Sequence, residues 1–377
     1  KNYPYPSVFN IESGYFLFDG TRYPTGITTP SLTNPSLTWE KSTTKNLGFD
    51  FIFLQNRLSF TADIFERKVT DILIPGGKEY PALIGDDNLP LENAGVLKTT
   101  GFELQAKWSD KLANGLRYSV GVALSDDKAK VVSYPSNPTN SIGDGKLYKG
   151  FTVGDIWGYE TGGILQEGDF DGVGANGKPL YHGPYFKGGQ AYPGYVWYQD
   201  LNHDGVITGG LGTVDNPGDR KVIGNNAPRY RYNITANVQY KGFDLDVMFQ
   251  GVGKRDYWLS SSSSYWGGGA GSWETYNDSW TPERTNAKFP MYGYGLGSYT
   301  QSGYLLDASY IKLKQVILGY TFPKNMINKI GLEKLRLNIA AYNLFTISDV
   351  PKYYDSDYIS DAYPPKRTFS VGIQVGF

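Results

Sequence analysis

Leu47, Phe49, Phe51 and Phe53 share one face of a period-two pattern, with Asn46, Gly48 and Asp50 opposite. A period of two sends successive side chains to opposite faces of a strand. The rhythm resumes after a short turn at 54–57, with Leu58, Phe60, Ala62 and Ile64 against Ser59, Thr61 and Asp63. A second pair sets Phe102, Leu104, Ala106 and Trp108 against Glu103, Gln105 and Lys107, then Leu116, Tyr118, Val120, Val122 and Leu124 against Arg117, Ser119, Gly121 and Ala123. A third runs through Tyr232, Ile234, Ala236, Val238 and Tyr240, turns at Lys241-Gly242, and returns through Phe243, Leu245, Val247 and Phe249. Its other face carries Asn233, Thr235, Asn237, Gln239, Asp244, Asp246 and Gln250.

A seventh strand is expected over 310–320. Val316, Leu318 and Tyr320 are in phase there but Ile311 and Leu313 are not, which predicts a bulge or a segment beyond a bilayer. Leu335, Leu337, Ile339 and Ala341 form an eighth, and Phe369, Val371, Ile373, Val375 and Phe377 a ninth. Connections after odd strands are short, the last holding a helical segment near 323–332. Those after even strands are long, at roughly 69–100, 130–229, 251–309 and 345–367. Alternation of short turns with long loops is the habit of outer-membrane barrels, whose strands cross the bilayer in about 9–11 residues. It places Phe377 at the periplasmic end. A soluble β-sandwich shares the two-faced strands but has no reason to put every long loop on the same end.

The expected fold is therefore all-β, an antiparallel transmembrane β-barrel. Nine strands are an odd number, whereas bacterial single-chain barrels close with an even one. The chain reads as the C-terminal portion of such a barrel, with residues 1–42 as an extracellular loop leading into the first strand. No run of about 18 apolar residues is present, so a spanning helix is excluded. The opening Lys1-Asn2-Tyr3-Pro4 has neither the basic nor the apolar region of a signal peptide.

Composition narrows the function. Aromatic residues reach 15% and Gly 47, a mixture suited to strands, turns and wet aromatic surfaces. Lys+Arg 36 against Asp+Glu 37 leaves no footprint for nucleic acid. Without Cys, and with only His182 and His203, thiol chemistry, zinc sites and most His-dependent catalysis fall away. No Ser/His/Asp set, P-loop or HExxH motif is present, so an enzyme is not expected.

The stretch Asn34-Pro35-Ser36-Leu37-Thr38-Trp39-Glu40-Lys41-Ser42-Thr43-Thr44-Lys45-Asn46-Leu47-Gly48-Phe49-Asp50 resembles the SusC/RagA family of TonB-dependent outer-membrane transporters. Further blocks follow in order: Asn93-Ala94-Gly95, Gly101-Phe102-Glu103-Leu104, Asp200-Leu201-Asn202-His203-Asp204-Gly205, Tyr240-Lys241-Gly242-Phe243-Asp244-Leu245, Asp307-Ala308-Ser309-Tyr310-Ile311-Lys312-Leu313-Lys314, Asn343-Leu344-Phe345-Thr346 and the ending 365–377. The resemblance implies about 22 strands around a plug, of which this chain supplies about nine and none of the plug. It also implies a SusD-like surface lipoprotein as lid and the TonB complex as energy source, engaged through an N-terminal region outside this chain. Oligosaccharide is the expected cargo, and a peptide importer of the RagA type is the first alternative. A surface adhesin barrel and a secreted all-β carbohydrate-active enzyme are alternatives from other classes.

Two constellations carry the expected sites. Asp200, Asn202 and Asp204, followed by Gly205 and Val206, reproduce the first half of a calcium loop, in which oxygens at alternate positions converge on a hard cation. Its twelfth position is Leu211 rather than Glu, so Asp215 or Asp219 would have to complete it. A structural Ca2+ and a metal-free Asx-turn both remain open. Trp157, Trp197, Tyr198, Trp258, Trp266, Trp273 and Trp280 crowd the two longest loops, where aromatic rings stack on cargo, contact a lid, or pack the loops together. Trp108 and Tyr240 lie beside short turns and read as an interfacial belt.

Overall fold

The computed structural model describes residues 10–18, 20–28, 34–76, 90–143, 145–259, 273–293, 299–352, 354–359 and 365–377. Its frame is one antiparallel sheet of nine strands. In chain order these are β1 (Lys41–Phe53), β2 (Leu58–Pro75), β3 (Leu91–Lys111), β4 (Arg117–Ser133), β5 (Arg229–Tyr240), β6 (Phe243–Lys254), β7 (Tyr310–Thr321), β8 (Lys334–Ser348) and β9 (Thr368–Gly376). Each pairs with its sequence neighbour, and β1 and β9 stand at the two ends of that order.

The register explains why the sheet has two chemistries. One row across all nine strands reads Phe53, Leu58, Trp108, Val120, Ala236, Val247, Val316, Ala341 and Phe369. A row on the opposite face reads Asp50, Thr61, Gln105, Ala123, Asn233, Gln250, Lys312 and Thr346. Pairing in register thus turns nine separate alternations into one apolar and one polar wall. The apolar wall is not covered: Phe49 is 49% exposed, Val238 37% and Val371 77%. So large an uncovered greasy surface belongs against hydrocarbon, not water.

Hairpin geometry fixes the ends. Lys241 and Gly242 both take positive φ, +46° and +89°, as a two-residue turn matched to strand twist requires. An added Cβ at Gly242 would lie 2.7 Å from the Thr321 carbonyl, so space as well as φ demands glycine. The fourth short connection holds a helical turn (Lys324–Ile327) and a 3-10 turn (Asn328–Ile330), close to the expected segment. Near these turns Trp108 Nε1 donates to the Tyr118 hydroxyl at 3.2 Å, and the Phe243 and Tyr320 rings lie 4.5 Å apart. Such a rim suits the interfacial belt.

The bulge expected in β7 is present. Phe249 pairs with Leu313 but Met248 with Gln315, which leaves Lys314 as the extra residue. That one insertion returns Ile311 and Leu313 to the apolar face. A correction concerns the first long loop, expected over 69–100. The β2–β3 ladder instead runs on to Pro75 and Leu91, so the connection shrinks to 76–90. Outside the bilayer nothing selects apolar alternation, and pairs such as Lys98 with Glu66 at 2.7 Å line the extension instead. Within the first 42 residues, 10–18 and 21–28 form a separate hairpin, and β1 begins at Lys41.

Candidate functional site

The described residues of the long connections 134–228, 255–309 and 349–367 supply a shared apolar core. Tyr159, Val196, Tyr198, Ile207, Leu259, Phe289, Tyr304, Val350 and Ile359 are all buried in it. At its centre the Tyr159 ring meets Phe186 at 5.5 Å, Tyr198 at 5.3 Å and Tyr299 at 5.7 Å. Burial pushes the Tyr185 phenol up to about 12 and raises Tyr159 and Tyr198 as well. These phenols stay neutral, and the Tyr198 hydroxyl accepts from Gln301 Nε2 at 3.1 Å.

Most of the aromatic residues singled out in the sequence are consumed by this packing. Trp280 is 2% exposed, with Nε1 donating to Gln166 Oε1 at 2.9 Å. Trp157, half-buried, donates to the Tyr148 hydroxyl at 2.9 Å, and Trp258 packs against the core. Trp197 covers Gly162, where a Cβ would lie 2.4 Å from its ring. Trp273 differs: it is 76% exposed, and its ring sits edge-on to Tyr276 at 5.7 Å, which meets Tyr292 at 5.3 Å. Trp266 lies outside the described residues.

Asp200, Asn202, Asp204 and Asp219 lie in one loop and each accepts backbone amides of that loop. The Gly205 amide donates to Asp200 Oδ2 at 2.8 Å, the Asp204 amide to Asn202 Oδ1 at 3.0 Å and the Val206 amide to Asp204 Oδ1 at 2.9 Å. Asp219, fully buried, accepts from Leu201 at 2.9 Å and Thr208 at 2.7 Å. Burial pushes the Asp200 carboxyl up, but amides of Gly205, His203 and Asp204 outweigh it and hold it below the usual aspartate range. Asp200 Oδ1 remains buried with no donor. A free anionic oxygen in an otherwise satisfied loop fits a hard cation. Among the described residues no group of three or more His, Cys, Asp or Glu side chains stands ready for a metal, so the remaining ligands would be Asn and carbonyl oxygens.

Sequence reasoning missed a charge cluster on the polar wall. Lys312, 1% exposed, reaches Asp355 at 3.0 Å and Asp357 at 2.7 Å, both on the last long connection. The alternation of Tyr310, Lys312 and Lys314 signals a polar face, but nothing in it names Asp355 or Asp357 as partners.

A sheet with a lipid-compatible face, short turns at one end and packed loops at the other matches a known profile. A family described as "TonB dependent receptor-like, beta-barrel" matches residues 5–344. The chain belongs to that family. Among curated relatives, TonB-dependent receptor P3 of Formosa agariphila is 27% identical over 99% of this chain and 38% of its own length. TonB-dependent receptor SusC of Bacteroides thetaiotaomicron is 25% identical over 98% of this chain and 35% of its own. The solved RagAB peptide importer in its "open-open" state superposes with a TM-score of 0.73 at 19% identity, covering 100% of this chain and 38% of that one. The SusC/RagA resemblance of the sequence blocks is borne out. This TonB-dependent receptor chain thus spans 38% or less of the length of each of these three. Its strands lie in the outer membrane, with the long loops extracellular, and its family is one of receptors rather than catalysts.

Proposed function

We propose that the whole protein containing this chain imports a nutrient across the outer membrane, driven by TonB, and that the cargo is oligopeptide. The observation that carries import is the two-faced register: an apolar wall for lipid backed by a polar wall that stays wet. A surface lipoprotein would cover the loop end as lid, and the TonB complex would act through a region outside this chain.

The cargo class rests on the polar wall. Charges of both signs line it, including Arg231 with Asp127, Lys312 with Asp355 and Asp357, and Arg336 with Asp244. A wall of this kind suits a backbone with charged ends and side chains better than a neutral sugar. The argument for oligosaccharide weakens because buried rings such as Trp280 and Tyr198 have no face to offer. RagAB, a peptide importer by description, shares the fold. Oligosaccharide remains the second reading on one observation, the exposed Trp273–Tyr276 pair.

Uptake by cells carrying the intact transporter tests both. A defined oligopeptide mixture is expected to enter in a TonB-dependent manner, and a maltooligosaccharide series is not. TonB-dependent sugar uptake, lost in Trp273→Ala, would reverse the order. Entry of neither would remove the import proposal.

A further inference from the structure

The lipid-facing side of the sheet changes character toward the long connections. Its row Leu47, Ile64 and Phe102, on β1, β2 and β3, is still apolar, and Ile64 there is 57% exposed. The next two rows on the same face read Lys45, Glu66, Thr100 and Lys128, then Thr43, Lys68, Lys98 and Lys130. Five lysines and one glutamate thus stand on four adjacent strands. We propose that this basic band binds the phosphate of an anionic, phosphorylated glycolipid of the outer leaflet, whose acyl chains lie on the apolar rows beneath.

Three observations carry it, and the first is charge. Lys68 faces Lys98, and Lys98 faces Lys130, directly across the ladder. Like charges placed opposite each other on strands about 4.8 Å apart destabilise a sheet, so the row is a standing site for an anion. Glu66 meets only part of that demand. It pairs with Lys98 at 2.7 Å, and that hydrogen bond, with the charges of Lys45 and Lys68, holds its carboxyl below the usual glutamate range. Among the described residues no carboxylate forms an ion pair with Lys45, Lys68, Lys128 or Lys130, all of them exposed. Asp126, two residues before Lys128 on β4, is buried and already committed to Arg229.

Height supplies the second. Phe53 lies in the row that carries Trp108, and the two basic rows begin eight and ten residues back along β1, at Lys45 and Thr43. At about 3.3 Å per residue and a tilt of about 40° this is roughly 20–25 Å along the membrane normal, the height of the apolar band of such barrels. The ammonium groups thus reach the headgroup level, with their stems over hydrocarbon. Direction supplies the third. Lys68, Lys98, Lys128 and Lys130 sit on β2, β3 and β4, each of which has a strand on both sides. Their face is the outer one, which further strands extend sideways and a plug lies behind, so neither covers it.

The test uses the full-length transporter purified in detergent and native mass spectrometry of its lipid-bound states. Two probes are titrated, monophosphoryl lipid A and the same lipid with its phosphate removed. The phosphorylated probe is expected to bind at least about tenfold more tightly, a preference that shrinks as salt is raised. In Lys68→Gln/Lys98→Gln/Lys130→Gln that preference should fall to about twofold or less, whereas Lys324→Gln/Lys329→Gln, on the short connection at the opposite end, should keep it. Equal affinity of the unaltered protein for the two probes overturns the proposal, and this comparison needs no variant to fold. A preference kept in full by the triple variant overturns it as well, because the phosphate then sits elsewhere. Release of the lipid by millimolar inorganic phosphate would mark a site for soluble anions and overturn the lipid assignment.

Discussion

Lys312 is a lysine that water does not reach, and it tolerates this because two carboxylates and a ring surround it. The Tyr310 ring lies 5.7 Å from Nζ, opposite Asp355 and Asp357. Removing one partner from a buried ion cluster leaves the others uncompensated, typically at about 3–5 kcal/mol. Lys312→Ala is accordingly expected to free Asp355 and Asp357 from the wall, read as faster protease cleavage near them with the barrel intact. Asp357 adds a pH term. Burial pushes its carboxyl up, but hydrogen bonds from Lys312 and Tyr310 prevail and hold it below the usual range. An aspartate held below its unfolded value, about 3.9, adds stability that is full above that value and drains as pH falls through the lowered one. Protection factors for hydrogen exchange in 349–359, taken relative to the intrinsic rate at each pH, should therefore stay flat at neutral and mildly acid pH and fall only below the ordinary aspartate range. The Asp200 loop gives a second residue-scale prediction. Millimolar Ca2+ should slow exchange across 200–219, and Asp200→Asn should abolish the effect; no change with Ca2+ would leave an Asx-turn closed by its own amides.

Among the elements, hairpin β5–β6 is the one most fully written in the sequence, because a two-residue turn leaves one register that puts both apolar sets on one face. Gly242→Ala forces a Cβ into positive φ against the Thr321 carbonyl and should destabilise the hairpin by about 1–2 kcal/mol, seen as a lower urea midpoint for the refolded intact barrel. Beyond the bilayer the sequence was harder to read. β2 and β3 continue past the apolar alternation on backbone pairing and charged contacts, a signal with no period to detect. In β7 the break in phase is visible, but only the pairing with β6 shows that Lys314 absorbs it.

At the scale of the molecule, polarity is inverted relative to a soluble domain: the greasy face of the sheet is bare, and the dry aromatic core sits in the extracellular loops. Adjacent residues of β9 test this. Val371→Arg places a charge on the lipid face and should cost about 2–4 kcal/mol near the midplane, whereas Ser370→Arg, on the polar face, should be nearly neutral, both by urea titration of the intact protein in lipid vesicles. The sequence by itself determined the strands, their faces, the side carrying the long loops and the family, since a period of two and turn chemistry are local properties that any window displays. Only the tertiary structure decided what the loops do with their aromatic residues. Whether Trp280 or Trp273 meets solvent depends on partners more than 100 residues away for the first, Gln166 among them, and on none so distant in the ring contacts of the second. Burial of a side chain is a property of the packed assembly, and composition cannot assign it.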